Sequence, residues 1–443
     1  MTDDNDGPVR LLVLGAGGRG GHAYAGWCLD NPDAARVTGI AEPDAQRRAE
    51  IGDAHAVEPQ YRFTDWQAAL AQPGPWDAVI VATPDRTHVD PTARALELGY
   101  DVMLEKPMAS TPAELDRLVA VAKDRPGAVT VSHVMRYAPF YRALHRLLGE
   151  GHIGELQGIQ HLERIGYWHF AHSYVRGNWH RSDQSSPMLL AKACHDLDML
   201  RWLVDSPYVA VSSFGSLRHF RRENAPAGST ERCIDGCAVA DTCPYNAERF
   251  YVEQLAEVQG PPVAIITNDL SPEGRRRALR ETDYGRCVYR MDNDVVDHQT
   301  TSLRFANGVT ASLVVSAFTR ENSRTITVMG SHGEINGDAH AGRLEVVKFR
   351  DTRPNVTGVP GVERKPFDVV ETGAGFVEEI GEVIGGHGGG DAGLMADFTA
   401  RTRERRAGRT VEAAPTAFEE SLESHWAAFA AERSRQNGTV EFL

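Results

Sequence analysis

Lysine is nearly missing from this 443-residue chain. Only five of its 47 basic residues are lysine, at positions 106, 123, 192, 348 and 365. An amine changes protonation readily on burial and a guanidinium does not, so a chain this rich in arginine directs attention to its few lysines. Long apolar runs are also missing. No stretch reaches 18 residues, which excludes a helical membrane span and leaves no membrane partner to expect. There is no surplus of positive charge either: the formal net charge is −14, which argues against a nucleic-acid partner. The short arginine runs at 275–277 and within 401–406 read as solvent-facing. Cysteine occurs six times, and the opening "MTDDNDGPVR" resembles neither a signal nor a transit peptide. A cytoplasmic enzyme with free thiols is the expectation.

What the chain does contain begins at residues 9–14, "VRLLVL", an apolar run suited to a strand buried on both faces. "GAGGRGGHAYAGWCL" follows at once and carries Gly15, Gly17 and Gly20 in a GxGxxG spacing ahead of a helical pattern. The first glycine permits a tight turn, the second lets backbone approach a pyrophosphate, and the third lets helix pack on strand. Glu42 ends the next strand-like run, "RVTGIAEPD", where a carboxylate can accept from the adenosine ribose hydroxyls and repel a 2′-phosphate. NAD is therefore preferred over NADP, although Arg47 and Arg48 stand close by. Two further strand-like runs end in polar tips, Thr83-Pro84-Asp85 with His88, and Glu105-Lys106-Pro107. In an open parallel sheet such tips face the ligand crevice.

"MLLAKACHDLDML" (188–200) sets Lys192, His195 and Asp196 within five positions of an otherwise apolar run. At helical spacing three such side chains share a face. "RCIDGCAVADTCPY" places Cys233, Cys237 and Cys243 within eleven residues, and Cys287 is available as a fourth thiolate. That set predicts a structural zinc site, with an iron–sulfur cluster using the same ligands. Cys194 is read as packing. Residues 292–318 alternate like strands around Asn307-Gly308, which predicts a hairpin.

Taken together, the glycine motif, "ATPDRTH", "EKP", "HVMRYAPFYRAL" (133–144), "GHIGEL" (151–156) and "HDLDMLRWL" (195–203) resemble the Gfo/Idh/MocA family of NAD(P)-dependent sugar and cyclitol oxidoreductases. The resemblance implies an α/β architecture: a Rossmann domain over residues 1–134, then a substrate and oligomerisation domain over 135–443 with a large open, mainly antiparallel sheet. "TAFEESLESHWAAFAAERSR" (416–435) reads as a packing helix, and the sheet's outer face as a homo-oligomer surface. The resemblance places Lys106 beside the reacting hydroxyl and His195 on the same hydroxyl. Lys192 is then a neighbouring cation that tunes Lys106 or binds substrate. The chain departs from the family pattern at Ala191, where an aspartate usually stands one turn before the histidine.

Two segments exceed a minimal sugar dehydrogenase. "GYWHFAHSYVRGNWHRSD" (166–183) is rich in sugar-binding chemistry, and His169, Arg176 and Trp179, with Tyr137 and Asp196, are the expected substrate contacts. "GGHGGGDAGLM" (385–395) resembles the His-Gly-Gly segment of the NAD-dependent glycosidases of this superfamily, which implies catalysis by His387 and an acid/base pair drawn from His387, Asp391, Tyr137 and His169. Two enzyme classes follow from these readings. One is net oxidation of a ring hydroxyl, and the other is redox-neutral glycoside hydrolysis by oxidation, elimination, water addition and reduction.

Overall fold

The computed structural model describes residues 7–352, 370, 374–381 and 386–443; Gly385 of the glycine-dense segment lies outside them. Six strands form the first sheet: β1 (Val9–Leu14), β2 (Ala35–Ala41), β3 (Arg62–Phe63), β4 (Ala78–Val81), β5 (Asp101–Leu104) and β6 (Val129–Val131). Their spatial order is β3-β2-β1-β4-β5-β6 and every pairing is parallel. β4 and β5 are buried along their whole length, as expected of strands covered on both faces; Asp101, the one charged residue, is paired with Arg405 at the start of β5. The strand order reverses between β1 and β4, and in an open parallel sheet the ligand crevice lies at that point, beyond the carboxyl ends.

The helix after the Glu-Lys-Pro tip, Pro112–Ala122, is fixed at its start. Thr111 Oγ1 accepts the Glu114 N–H, Glu114 reaches back to the Ser110 N–H, and proline occupies the first helical position. This start leaves the tip little freedom.

Nine strands form the second sheet: β7 (Leu156–Gly166), β8 (Tyr208–Ser216), β9 (His298–Phe305), β10 (Thr310–Thr319), β11 (Ser323–Gly330), β12 (Gly333–Asp338), β13 (Arg343–Lys348), β14 (Gly375–Glu379) and β15 (Glu441–Phe442). The order is β14-β13-β12-β11-β7-β10-β9-β8-β15, antiparallel throughout except for the central β7–β10 pair. The predicted hairpin is present. Gly308 takes φ +90° and Asn307 Oδ1 accepts the Val309 N–H, with strict in–out alternation along β9.

Helices Met188–Val204 and Phe418–Asn437 pack together over one face of this sheet, where Ser434 Oγ accepts the Ser213 N–H. Phe214, the next residue on β8, is exposed on the opposite face. Helix Gly390–Arg406 returns to the first sheet. Its Leu394, Met395 and Phe398 share a core with Leu11, Val13 and Tyr137, so the nucleotide half is completed by residues beyond the expected 1–134 span. Among the described residues no helix is long and apolar enough to cross a membrane.

Candidate active site

The glycine turn is built as its spacing demands. Gly15 has φ +86°, and a Cβ there would lie 2.5 Å from the Ala82 carbonyl oxygen; one on Gly20 would lie 2.0 Å from the Gly15 oxygen. Above Gly17 and Gly18 a Cβ would meet nothing, so bare backbone faces open space at the start of the helical run Gly18–Ala25. Glu42 is buried at the end of β2. Its Oε2 accepts the Ala16 N–H at 2.8 Å, and its Oε1 accepts from the Asp44 N–H and from Arg47. An open glycine cradle, free N–H groups at a helix start and a carboxylate on the neighbouring strand together fit a dinucleotide. Thr83 and Pro84 stand at the end of β4. His88 is not free for a cofactor: its Nδ1 lies 2.7 Å from the Pro107 oxygen and its Nε2 2.8 Å from the Thr83 oxygen. It ties the β4 tip to the β5 tip, which corrects its expected role.

Lys106 Nζ donates to the Ala191 carbonyl at 2.8 Å, one helical turn before His195. The lysine and the histidine, 89 positions apart in sequence, therefore meet at the mouth of the crevice. His195 is buried, and neither ring nitrogen has a hydrogen-bond partner among the described residues. Burial holds its imidazole well below the ordinary histidine value, and the charge of Lys106 with the neighbouring His387 and His133 rings adds to this. The ring is neutral at pH 7. His133 and His387 flank it with centroids at 5.7 and 5.6 Å.

His387 sits at a positive φ of 51° just before helix Gly390–Arg406, and its Nδ1 is 3.0 Å from Asp391 Oδ1. Burial pushes the Asp391 carboxyl up, but hydrogen bonds from His387 and Arg19 outweigh it and keep it ionised. Arg19 lies inside the glycine motif and joins the two halves. It bonds Asp391 through both terminal nitrogens (2.8 and 2.9 Å) and Glu105 through Nε (2.7 Å), while Tyr24 caps the same Glu105 oxygen. Glu105 also accepts the Lys106 N–H, so it orients the catalytic tip.

Several expected contacts are spent elsewhere. Lys192 and Asp196, four apart, face β7 and β11 while His195 faces the crevice, so the three do not share one face. Lys192 pairs with Glu163 at 3.3 Å, and Arg324 sits 2.7 Å from both Glu163 and Asp196. Asp196 also meets His161 Nε2 at 2.7 Å, which removes it from substrate contact. Burial pushes the Lys192 ammonium down and Glu163 pulls it back. Its catalytic reading is corrected to that of a buried counter-charge.

Tyr137 donates to Asp397 at 2.9 Å and is buried in the first core, so it is not a substrate ligand. Arg176 is buried and bonds the Arg286 and Tyr245 carbonyls, both at 2.8 Å, which removes it from the expected substrate contacts. Trp179 Nε1 donates to Asp85, whose other donor is Ser186, and its ring stacks on Tyr174. The tryptophan locks segment 166–183 to the β4 tip. The His169 ring lies against Trp168 and Tyr174, and burial with the charges of Lys192, His172 and Lys106 holds it well below its ordinary value.

Arg19, Tyr24 and His133 escape sequence reasoning. Only the arginine's place inside a phosphate-binding turn could have drawn notice. Among the described residues no group of three or more His, Cys, Asp or Glu is arranged to hold a single metal ion, so the expected tetrahedral zinc site is not preformed.

The profile of the oxidoreductase family with an NAD-binding Rossmann fold matches residues 9–133, and that of the GFO/IDH/MocA C-terminal domain matches residues 141–336. The putative oxidoreductase YteT of Bacillus subtilis (strain 168) is 25% identical over 373 residues, 82% of this chain and 81% of YteT. Inositol 2-dehydrogenase 1 of Saccharopolyspora erythraea is 32% identical over 206 residues, 46% of this chain and 57% of that protein. The chain thus matches little more than half of that dehydrogenase's length. Solved structures share the fold: an oxidoreductase domain protein from Kribbella flavida (TM-score 0.67, 16% identity, 99% of both chains) and a myo-inositol dehydrogenase from Corynebacterium glutamicum (TM-score 0.60, 18% identity, 98% of this chain and 99% of that one). With two profiles covering most of its length over a glycine cradle that leads to Lys106 and His195, the chain belongs to the Gfo/Idh/MocA family of oxidoreductases.

Proposed function

We propose that this protein is an NAD-dependent oxidoreductase that removes hydride from a ring hydroxyl of a sugar, glycoside or cyclitol. The observation that carries this reading is Lys106 held on the Ala191 carbonyl one turn before a neutral, unpartnered His195. Bound NAD would supply the hydride acceptor, held by Gly15, Gly17, Gly20 and Glu42 with Thr83 and Pro84. Oxidising an alcohol also releases a proton, which needs an acceptor within hydrogen-bond reach. In this reading the Lys106 ammonium donates to the hydroxyl oxygen and stabilises the developing alkoxide, while a His195 nitrogen takes the proton.

The usual acid one turn before the histidine is absent at Ala191. His387 and Asp391 replace it from another element: His387 lies against the His195 ring, is about one-third exposed, and is oriented by Asp391. The pair provides a route for the proton to solvent. Glu42 is the support for NAD over NADP: a buried carboxylate at the end of the second strand would accept from ribose hydroxyls and repel a 2′-phosphate. His169 is the substrate contact retained from segment 166–183.

Redox-neutral glycoside hydrolysis is the second reading. It rests on the same His387–Asp391 pair, because elimination and water addition need an acid/base beyond the oxidation base. The protein is taken to be cytoplasmic and to self-associate through the outer face of the nine-stranded sheet, which sedimentation would check.

The test is a panel of cyclitols, aldoses and glycosides with NAD, read for NADH and for released aglycone. NADH accumulating in proportion to substrate supports the dehydrogenase. Aglycone release with NAD unconsumed favours hydrolysis. Neither signal, with NAD still bound, would end the enzymatic reading.

A further inference from the structure

Cys233, Cys237, Cys243 and Cys287 line one small, partly enclosed pocket. Two separate parts of the chain build it. Arg232 and Arg286 form an antiparallel bridge, with the Cys233 N–H bonded to the Gly285 oxygen and the Cys287 N–H to the Glu231 oxygen. The two cysteines each follow a bridge residue, so they stand diagonally on the same side of this short ribbon, where Cβ atoms are about 7 Å apart. Cys237 and Cys243 enter from tight turns: the Ala240 N–H bonds the Cys237 oxygen and the Cys243 N–H the Val239 oxygen.

Hydrogen-bond donors are also aimed at the sulfurs. The Tyr245 N–H points to the Cys243 sulfur and the Tyr289 N–H to the Cys287 sulfur, so the same Cys-x-Tyr turn occurs on both sides of the pocket. Buried Arg176 places Nη2 3.5 Å from Cys233 Sγ; the same Nη2 donates to the Tyr245 carbonyl and Nε to the Arg286 carbonyl, one from each half of the pocket. Amide and guanidinium donors aimed at sulfur are the hydrogen bonds that a metal-bound thiolate accepts.

A single zinc ion bonds sulfur at about 2.3 Å and needs four sulfurs within about 4 Å of one another. No such single-ion arrangement exists among the described residues. A centre with several metal atoms bridges a wider set of sulfurs.

We propose that Cys233, Cys237, Cys243 and Cys287 bind an iron–sulfur cluster that is structural, with Arg176 as its hydrogen-bonding counter-charge. The cluster takes no part in hydride transfer. It holds loop 226–246 to residues 284–290, and through Arg176 it braces segment 166–183, which carries His169 and Trp179. Sequence spacing shows three of the cysteines but gives no reason for the fourth to be Cys287; the Arg232–Arg286 bridge supplies it.

The full chain, purified without oxygen, is analysed for iron, acid-labile sulfide and zinc, and its visible absorbance is recorded. The expected result is about two to four irons per chain with matching sulfide and a broad visible band that dithionite or air alters. Arg176→Lys keeps the four sulfurs and the charge, and it is expected to hold iron while shifting that band. Cys287→Ser is expected to lose at least half the iron; if it does not fold, reconstitution of the unmutated apoprotein with ferrous iron and sulfide gives the same readout. One zinc per chain without sulfide would overturn the cluster, and so would less than a tenth of an equivalent of any metal after anaerobic purification and reconstitution. NAD binding is measured on the same samples, so failure of the cluster is separated from failure of the proposed activity.

Discussion

Lys106 and His195 divide one task, and their surroundings make the division testable. The lysine is fixed by a single carbonyl, so a substrate hydroxyl can take over one of its three donors without unmaking the fold. The histidine has both nitrogens unoccupied in a buried setting that keeps it neutral. Lys106→Met and His195→Ala are each expected to lower kcat by roughly 10²–10⁴-fold while the Kd for NAD, read by fluorescence titration, moves less than about threefold. A loss confined to NAD affinity would assign both residues to cofactor binding.

Asp391→Asn should have a subtler signature. It removes the charge that orients His387, so the acidic limb of the kcat–pH profile should move while Lys106 and His195 stay in place. For Glu42→Ala the ratio of kcat/KM between NAD and NADP should fall by about tenfold or more. An unchanged ratio would show that Arg47 and Arg48, and not the carboxylate, set the preference.

Helix Met188–Val204 shows what an element's sequence conveys and what it withholds. Its apolar content and its catalytic histidine are legible, and so are the glycine turn, the Glu-Lys-Pro tip and the Asn-Gly hairpin, because each is specified within a few neighbouring residues. What packs opposite is not local. The helix is buried on nearly every side, so helical spacing cannot tell its crevice side from its sheet side. The partners of Lys192 and Asp196 come from β7 and β11, and those of His195 from positions 133 and 387. Arg176 and Trp179 look like ligands in sequence because buried hydrogen-bonding anchors draw on the same residue types as sugar sites.

The helix–sheet joint makes its own prediction. Arg324 alone faces two buried carboxylates, Glu163 and Asp196. Arg324→Met would leave Glu163 opposed by Lys192 and Asp196 by the His161 ring, and should destabilise the protein by about 3–5 kcal/mol in urea unfolding. A shift below about 1 kcal/mol would mean that water already reaches this joint.

Across the whole molecule, several buried imidazoles are held below their ordinary value, and this shapes how stability depends on pH. His425 accepts the Met108 N–H at Nε2, and burial with the neighbouring His133 pushes it down to about 3. Burial and the Arg176 charge lower His172 to about 4. His133 and His195 are pushed the same way, chiefly by burial. In the unfolded chain each would protonate near pH 6.5, so between there and the folded values the unfolded state binds more protons. Stability must therefore fall as pH drops through this window and be unaffected by these groups above it. Asp196 and Asp391 lie below the ordinary carboxylate range and stay ionised at pH 5, so they add nothing until the medium is more acidic still. His172 and His425 together account for about 4 kcal/mol lost between pH 7.5 and pH 5. Urea midpoints at the two values should differ accordingly, and His425→Gln should flatten the slope even if it lowers stability at pH 7.5. Equal midpoints would mean that these rings are hydrated or already charged in the folded protein. In that case His195 could not be the neutral proton acceptor that the dehydrogenase reading requires.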